Sequence, residues 1–278
     1  MLVGFSGLKD FYPALAAGNL ARLGLRARSV TLDLAFAGGE SALNFSRQLD
    51  KGTAAEELGE QLGALAREGE RIGIPAVLRK GAFERCAKAA GVPLFQIPIA
   101  PPSVVGVEWN DILVQACRDA RIDIHLNARA VGARTSKGRI DALRVEIAGT
   151  TCDIPCDNVI YAAGGLESGA FERDSYGRLS EKIFDLPLYT NQDGTSVTET
   201  SHIVNPNYWA DEQPIFACGL AVDEHMRVLG DGGKLAWENL YAAGSMLAGA
   251  QRAREKSGEG IALASAAAAV QSILKEGR

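Results

Sequence analysis

The chain has few cysteines, and their arrangement excludes several kinds of site. It contains five cysteines in 278 residues, with no C-x-x-C pair and no cluster that includes the three histidines. A zinc site or an iron–sulfur cluster held by this chain alone is therefore not expected. Cys152 and Cys156 flank a proline before a predicted strand. Two small, half-buried thiols in a reducing compartment explain this pair better than a redox function.

The chain also lacks a basic excess, a long apolar run and a leader sequence. Its net charge of −5 and pI near 5.4 provide no positive field for nucleic acid or an anionic membrane. No apolar run is long enough to span a bilayer, and the N-terminus does not have the order of a signal peptide. We expect a globular, cytoplasmic protein that is peripheral to the inner membrane only through a partner.

The first third alternates strands with helices. An apolar strand at residues 1–5, a helix at 10–25 and a strand at 28–34 form one β-α-β unit. Its turn, "GFSG", lacks the three-glycine spacing of a dinucleotide site, so a tight turn is favoured. Nicotinamide binding there is the alternative, and Asp33 stands near the place of the ribose-binding acid.

The remaining elements of this region complete a three-layer α/β arrangement. The pattern predicts helices at residues 42–49 and 106–120, and another that Thr53 opens in a capping box with Glu56. A strand starting at Pro75, a helix closed by Gly91 and a proline-rich loop ending at Ser103 lie between them.

The middle of the chain is a run of strands. "DIHL", "ARAVGARTS", "RIDALRVEI" and "TCDIP" read as a meander with a hairpin turn at "SKG". They lead to "NVIYAAGG", whose continuous apolar stretch predicts a strand buried on both faces. A near copy, "NLYAAGSMLAG", follows the irregular residues 166–215, which are typical of functional surface.

The order of these segments carries a resemblance to a known family. A meander, "NVIYAAGG", a polar insert, "CGLAVDEHMRV", "ENLYAAGS" and a glycine-opened terminal helix resemble the succinate dehydrogenase/fumarate reductase flavoprotein class. Within it, "VGFSGLKDFYPALAAGNL", "PPSVVGVEWNDIL" and the last forty residues are similar to the B subunits of anaerobic glycerol-3-phosphate dehydrogenases. The resemblance covers nearly the whole chain.

The resemblance implies the C-terminal part of a flavin-binding, Rossmann-like three-layer α/β fold, with an inserted α/β substrate or cap region and a β-meander. We expect one domain at residues 1–122 and another at 123–278, the second holding the meander and the C-terminal flavin-binding part. In the family, a preceding β-α-β unit with a G-x-G-x-x-G turn binds the flavin phosphates. We expect this chain to be part of a longer protein, to obtain that unit from another chain, or to have lost it.

A flavin, FAD or FMN, needs small backbone neighbours and hydrogen-bond donors near its pyrimidine ring. Glycines at the two strand ends meet the first need: Gly164, Gly165, Gly244 and Gly249. Ser245 stands where related flavoproteins often carry an acid and could bond the ribityl chain as a neutral partner. Asp223 could reach a flavin hydroxyl, although capping its own turn is the favoured role.

The start of the terminal helix meets the second need. Ser257 is a predicted N-cap, and the free N–H groups that follow would face the flavin; they belong to Gly258, Glu259, Gly260 and Ile261. The carboxylate of Glu259 opposes flavin reduction, because the reduced flavin is anionic. A helix packed through small residues is the alternative.

Three cations and one histidine are candidates for substrate chemistry. Arg252, Arg254 and Lys256 could converge on a phosphate, although a solvated basic loop is the alternative. His202, in the irregular insert, is the candidate base for the oxidation of a secondary alcohol. The other two histidines, at 125 in a strand and at 225 in a turn, are expected to be structural.

These features predict a flavin-dependent component of a glycerol-3-phosphate dehydrogenase. The resemblance implies oxidation of glycerol 3-phosphate to dihydroxyacetone phosphate, or relay of its electrons toward quinone in anaerobic respiration. Its implied partners are catalytic and iron–sulfur subunits of a membrane-associated complex. The alternative is a non-catalytic scaffold or interaction subunit that retains part of the flavin fold.

Overall fold

The computed structural model describes residues 1–191, 196–207 and 213–276, without the side chains of His202 and Ala253. By the density of its internal contacts the chain divides into two compact units, Met1–Ile124 and His125–Arg278.

The first unit is a parallel sheet whose strands are connected by helices. Its elements are β1 (Leu2–Phe5), α1 (Pro13–Arg22), β2 (Ser29–Leu32), α2 (Ala42–Leu49), α3 (Ala54–Leu65), β3 (Ile72–Pro75), α4 (Lys80–Ala90), β4 (Leu94–Ile97) and α5 (Val104–Asp119). The sheet order is β2-β1-β3-β4, and all neighbours are parallel. Parallel strands need crossover connections, which the helices provide. This is the α/β arrangement that the alternation of strands and helices predicted for this region, and it is Rossmann-like.

The core of this unit lies against its two central strands. Every residue of β1 and β3 is buried, as expected for strands covered on both faces. Glycines let α3 and α4 pack closely, since a Cβ on Gly59 or Gly63 would overlap the carbonyl oxygen of Cys86 or Ala90. Gly91 ends α4 in the left-handed region, with φ of 65°, as predicted.

The predicted capping box of α3 is wrong. Thr53 precedes the helix but makes no side-chain cap hydrogen bond. Its hydroxyl donates to the carboxylate of Glu57 at 2.6 Å, and Glu56 pairs with Arg85 at 3.1 Å. The cap fails because it requires an extended N-cap backbone, whereas Thr53 has ψ of 7°.

Three strand predictions also need correction. The strand expected to start at Pro75 is β3, which ends there, and β4 lies in a segment predicted to be loop. β4 is a strand because it pairs with β3, a long-range contact that local periodicity does not reveal. "DIHL" at 123–126 is irregular, so His125 does not lie in a strand.

The second unit combines a meander with short strands and irregular connections. Its elements are β5 (Ala128–Ser136), β6 (Arg139–Ile147), β7 (Thr150–Pro155), β8 (Val159–Tyr161), β9 (Phe171–Arg173), β10 (Leu179–Glu181), β11 (Leu240–Ala242), α6 (Arg252–Glu255) and α7 (Gly258–Glu276). β5, β6 and β7 form the predicted antiparallel sheet in that order. Lys137 and Gly138 have φ of 48° and 78° in the "SKG" turn, which matches a tight hairpin.

β8 and β11, the two glycine-ended strands, form a parallel pair with Val159 beside Leu240. Val159 and Tyr161 are buried, but Ile160 is 36% exposed. The expectation of burial on both faces is therefore wrong for β8. Within the described residues its sheet contains only β8 and β11, so β8 is an edge strand with no partner on its other side.

Asn239 joins this pair to the meander. Its side chain is 1% exposed, accepts from the Ile140 N–H at 2.9 Å and donates to the carbonyls of Ile140 and Asp157, both at 2.8 Å. Because a single amide satisfies three backbone groups, it holds the start of β11 against β6.

Candidate functional site

The two glycine-ended strands finish side by side, which brings predicted cofactor residues together. After β8, Gly165 approaches the turn that follows β11 so closely that a Cβ would lie 3.1 Å from the Ser245 carbonyl oxygen. Ser245 lies in the short 3₁₀ turn Gly244–Met246. The parallel pairing of β8 and β11 thus places Gly165 and Ser245 in contact.

Gly164 serves the packing of its own turn. It has φ of 85°, and a Cβ there would overlap the side chain of Ser168. Ser168 and Ala170 both donate their N–H groups to the Gly165 carbonyl, at 3.2 Å. The chain therefore folds back tightly after β8, and its own atoms fill the space beside Gly164.

Gly244 connects β11 to the terminal helix. Its φ is 70°, and its N–H donates to the Ser265 hydroxyl at 2.8 Å. That hydroxyl donates in turn to the Ile261 carbonyl at 2.6 Å. α7 is thereby held against the end of β11, with Ile261 in its first turns.

Gly249 lies in a different neighbourhood from the other candidate glycines. Its φ is 83°, a Cβ there would lie 3.6 Å from the Cα of Asn191, and its N–H donates to the Ala217 carbonyl at 2.8 Å. A role in cofactor binding for Gly249 stays a prediction.

The start of α7 has free space beside it. The Ser257 carbonyl accepts the Ile261 N–H at 2.8 Å, which puts Ser257 in the N-cap position. Its hydroxyl donates to Glu255 at 2.9 Å. A Cβ on Gly260 would have no heavy atom within 4 Å. Since the first N–H groups of a helix have no partner within it, this end can donate to a ligand.

A groove of about 360 Å³ lies at this helix start. It contains four of the predicted site residues and two others, and its lining is Glu167, Phe216, Arg252, Lys256, Gly258 and Glu259. Arg252 Nη2 lies 3.3 Å from Glu167 Oε2 across the groove. Its volume is at the small end of the range for ligand sites.

The structure brings together two of the three predicted phosphate-binding cations. Arg252 and Lys256 line the groove, whereas Arg254 is exposed and does not line it. Lys256 has φ of 52° and ends α6 in the left-handed region, so the chain turns sharply at Lys256, between α6 and α7. The side chain of the predicted base, His202, lies outside the described residues.

Glu167 and Phe216 are site residues that the sequence reasoning missed. Glu167 lies in the 3₁₀ turn Leu166–Ser168 directly after the glycines of β8. Phe216 is a 52% exposed aromatic in the turn Pro214–Ala217. The only signal for Glu167 is its place as the first charged residue after a glycine-ended strand. Phe216 has none, because it reaches the groove from a distant segment.

A second cavity, of about 610 Å³, lies between β5 and β8. Tyr161 and Phe184 contribute to its wall, and Tyr161 donates its O–H to the buried Glu181. Burial, and then this hydrogen bond, raises the pKa of Tyr161. Glu181 also accepts the N–H groups of Ile183 and Phe184, both at 2.7 Å. Because these partners satisfy the carboxylate, the pair is structural.

Asp223 caps its own turn, as favoured from the sequence. It accepts the N–H groups of His225 and Arg227, both at 2.9 Å, and the Arg227 guanidinium at 2.8 Å. Burial opposes ionisation of Asp223, but these hydrogen bonds outweigh it and lower its pKa. With its oxygens engaged in this way, Asp223 stabilises the turn that precedes β11.

The "GFSG" turn also uses its polar groups internally. The Ser6 hydroxyl donates to Asp33 at 2.8 Å, and a Cβ on Gly7 would overlap Ala35. The Leu8 N–H donates to the Phe5 carbonyl at 3.0 Å, which closes the tight turn favoured from the sequence. The chain then continues as a loop, so that seven residues separate β1 from α1. This connection differs from the short glycine-rich turn that holds a pyrophosphate.

Neither a metal cluster nor a membrane span is found in the part of the chain that the structure describes. Its side chains form no group of three or more His, Cys, Asp or Glu residues that could hold a metal ion. Within residues 1–191, 196–207 and 213–276, every helix is too short or too polar to cross a bilayer.

Comparison with known proteins agrees with the resemblance. A family model described as "FAD binding domain" matches residues 1–261. The B subunit of a probable anaerobic glycerol-3-phosphate dehydrogenase from Halobacterium salinarum is 28% identical, covering 97% of this chain and 65% of the relative. The B subunit of the anaerobic glycerol-3-phosphate dehydrogenase from Pectobacterium carotovorum is 27% identical, covering 100% and 66%.

The chain thus spans slightly less than two thirds of the length of these relatives. No solved structure matches the chain significantly.

Proposed function

Because the chain belongs to the FAD binding domain family, with FAD as the cofactor, we propose that it is a flavin-dependent component of a glycerol-3-phosphate dehydrogenase. The observation that carries this proposal is the groove where Arg252 and Lys256 meet the start of α7. There, cations suited to a phosphate adjoin N–H donors suited to a flavin.

The residues at the start of α7 fit part of a flavin. Gly258 and Glu259 line the groove, and the space beside Gly260 is open. Their N–H groups would donate to the pyrimidine edge of FAD, with Gly244 and Ser245 as neighbours at the end of β11. When bound, FAD supplies a hydride acceptor. The helix N-terminus would stabilise the reduced form by about 0.3–1 kcal/mol, and the Glu259 carboxylate would offset part of this.

Arg252 and Lys256 would hold the phosphate of glycerol 3-phosphate. A guanidinium and an ammonium are the usual protein partners of a phosphate. His202 is the proposed base that accepts the hydroxyl proton when the secondary alcohol is oxidised to the ketone. The product of this reaction would be dihydroxyacetone phosphate.

The relatives suggest that the chain works in a complex. Their names describe one subunit of a dehydrogenase, and we propose catalytic and iron–sulfur subunits as its partners. Electrons from the flavin would pass to the iron–sulfur subunit.

Two observations favour a second candidate, a scaffold subunit. The chain's own atoms fill the space beside Gly164 and Gly165, and Glu167 already pairs with Arg252. A non-catalytic subunit that retains the fold would have these features. It predicts tight association with a partner and no retention of flavin.

Visible absorbance after incubation with FAD and removal of free flavin tests the proposal. We expect the chain, alone or with its partner subunits, to retain flavin that glycerol 3-phosphate then bleaches. Gly260→Phe should prevent retention by filling the open space. Gly81→Phe, also in a helix with no atom within 4 Å of its Cβ position, is the matched control. Absence of flavin from every mixture supports the scaffold.

A further inference from the structure

The groove at the start of α7 is lined by carboxylates as well as by cations. Two cations, Arg252 and Lys256, and two carboxylates, Glu167 and Glu259, line it, so the charges of the lining sum to zero. Arg252 and Glu167 lie 3.3 Å apart. The guanidinium that would hold a phosphate is therefore already engaged with a carboxylate of the same chain.

The backbone fixes where Glu167 lies. Its 3₁₀ turn is bounded by Gly165, which packs on the Ser245 carbonyl, and by Gly169, which has φ of 76°. The N–H of Ala170 donates to the Gly165 carbonyl at 3.2 Å and closes the turn. Glu167 thus projects from a short, tightly closed loop, and its position follows from the fold rather than from a mobile tail.

Arg252 is built into the opposite side of the same groove. It is the first residue of α6, and a Cβ on Gly258 would lie 3.8 Å from the Arg252 Cβ. Its side chain is 29% exposed, against 60% for Glu167. Arg252 is therefore the more confined partner, and Glu167 can swing into solvent when another anion takes its place.

We propose that Glu167 competes with anionic ligands for Arg252 and so lowers the affinity of the groove for phosphates. This inference rests on the proposed phosphate site. An anionic ligand must displace the Glu167 carboxylate from Arg252. The displaced carboxylate still repels the ligand, and this repulsion grows with the charge of the ligand. Inorganic phosphate, with few other contacts, is kept from filling the groove at low concentration. A phosphate ester whose remaining atoms contact Phe216 or the cofactor overcomes the same cost.

The test compares ligand affinities of the FAD-incubated full chain with those of Glu167→Gln by titration calorimetry. Inorganic phosphate, glycerol 3-phosphate and uncharged glycerol are the three probes. We expect the variant to bind both phosphates about threefold to fivefold more tightly, the range for a half-exposed ion pair. The affinity for glycerol should not change, because glycerol carries no charge.

Two further variants separate this effect from a general change in surface charge. Glu172→Gln is the matched control, because Glu172 is 58% exposed and pairs with Lys182 at 3.0 Å, away from the groove. It should leave all affinities unchanged. In the Arg252→Gln background, the effect of Glu167→Gln should shrink, since the competition requires the guanidinium and only the repulsion between Glu167 and the ligand remains.

The outcomes distinguish this inference from the proposed function. If phosphate binding depends on Arg252 but is unchanged or weaker in Glu167→Gln, the competitor role is overturned and the phosphate site stands. A weaker affinity for glycerol as well would show that Glu167 accepts a ligand hydroxyl instead. If neither protein binds either phosphate, both the competitor role and the phosphate site are overturned.

Discussion

The two glycine-ended strands have nearly the same sequence and lie side by side, yet their tyrosines face opposite ways. "NVIYAAGG" has one residue more before its tyrosine than "NLYAAGS". The parallel register sets Val159 beside Leu240, so Tyr161 pairs with Ala242, while Tyr241 pairs with Ile160. Because successive side chains alternate between the faces of a strand, Tyr161 and Tyr241 lie on opposite faces.

This one-residue difference gives each face of the sheet a separate role. Tyr161 lies in the main core of the second unit, with its O–H on buried Glu181. Tyr241 lies on the other face, and its O–H donates to Glu276 of α7 at 2.8 Å. The near repeat in sequence therefore places its two tyrosines in different environments. One face of the sheet packs on the core, and the other packs on the terminal helix.

The asparagines at the start of the two strands should differ most. Asn239→Ala should lower the free energy of unfolding by about 2–4 kcal/mol, because buried backbone groups of Ile140 lose their partner. Asn158→Ala, at the matching but exposed position, should change it by less than about 0.5 kcal/mol. Urea denaturation of both variants measures this. Equal losses in the two variants would contradict the conclusion that Asn239 holds the start of β11 against β6.

The glycines that end the strands should differ next. Gly164→Ala should cost about 2–3 kcal/mol, because it combines the strain of a positive φ with overlap on Ser168. Gly244→Ala should cost only about 1 kcal/mol, since its Cβ would lie 3.9 Å from Ala262. Adding Ser168→Gly to Gly164→Ala should recover the difference in denaturation midpoint. If the denaturation midpoint does not recover, the whole cost of Gly164→Ala comes from the strain of the positive φ.

The tyrosines should differ less. Tyr161→Phe should cost about 1–2 kcal/mol, because buried Glu181 loses a donor. Tyr241→Phe should cost less than about 1 kcal/mol, because Glu276 is 45% exposed and water can replace the hydroxyl. Equilibrium denaturation at neutral pH gives both values. A larger loss of stability in Tyr241→Phe than in Tyr161→Phe would contradict the conclusion that the Tyr161 hydroxyl is the more important of the two.

In alkaline solution the two tyrosines should behave alike. Their contribution to the pH dependence of stability should be the smallest of these effects. Burial raises the pKa of both, that of Tyr241 to about 12. The folded chain thus holds each proton more tightly than the unfolded chain does. This stabilisation is complete below about pH 10 and is lost as the pH rises toward the folded pKa. Either Tyr→Phe variant should flatten the decline in stability between about pH 10 and pH 11; an unchanged slope would show that the tyrosine titrates normally.

Local patterns predicted the regular elements best. The bounds of α2, β5 and β6 follow from apolar periodicity and from the turn at "SKG", which act over a few residues. The failed predictions all depend on structural features that a local sequence pattern does not show. β4 is a strand because of its pairing with β3, Thr53 loses its cap because of its ψ, and Ile160 is exposed because β8 is paired on one side among the described residues.

Part of the candidate site was also predictable. Sequence reasoning selected Arg252, Lys256, Gly258 and Glu259, which line one groove, and Gly165 with Ser245, which are in contact. It missed Glu167, because the residue that explains its place, Arg252, lies 85 positions away. Nothing in a local pattern indicates which carboxylate will reach a given guanidinium.

By itself, the sequence determined most of the element types, the three long strands of the meander, the family and the residues that carry charge near the terminal helix. These depend on side-chain periodicity, turn chemistry and residue order, which are properties of neighbouring positions. Only the tertiary structure decided that the two strand ends adjoin, that their tyrosines face opposite ways and that Glu167 occupies Arg252. Each of these depends on the pairing register and packing of distant segments, which a chain acquires only when it folds.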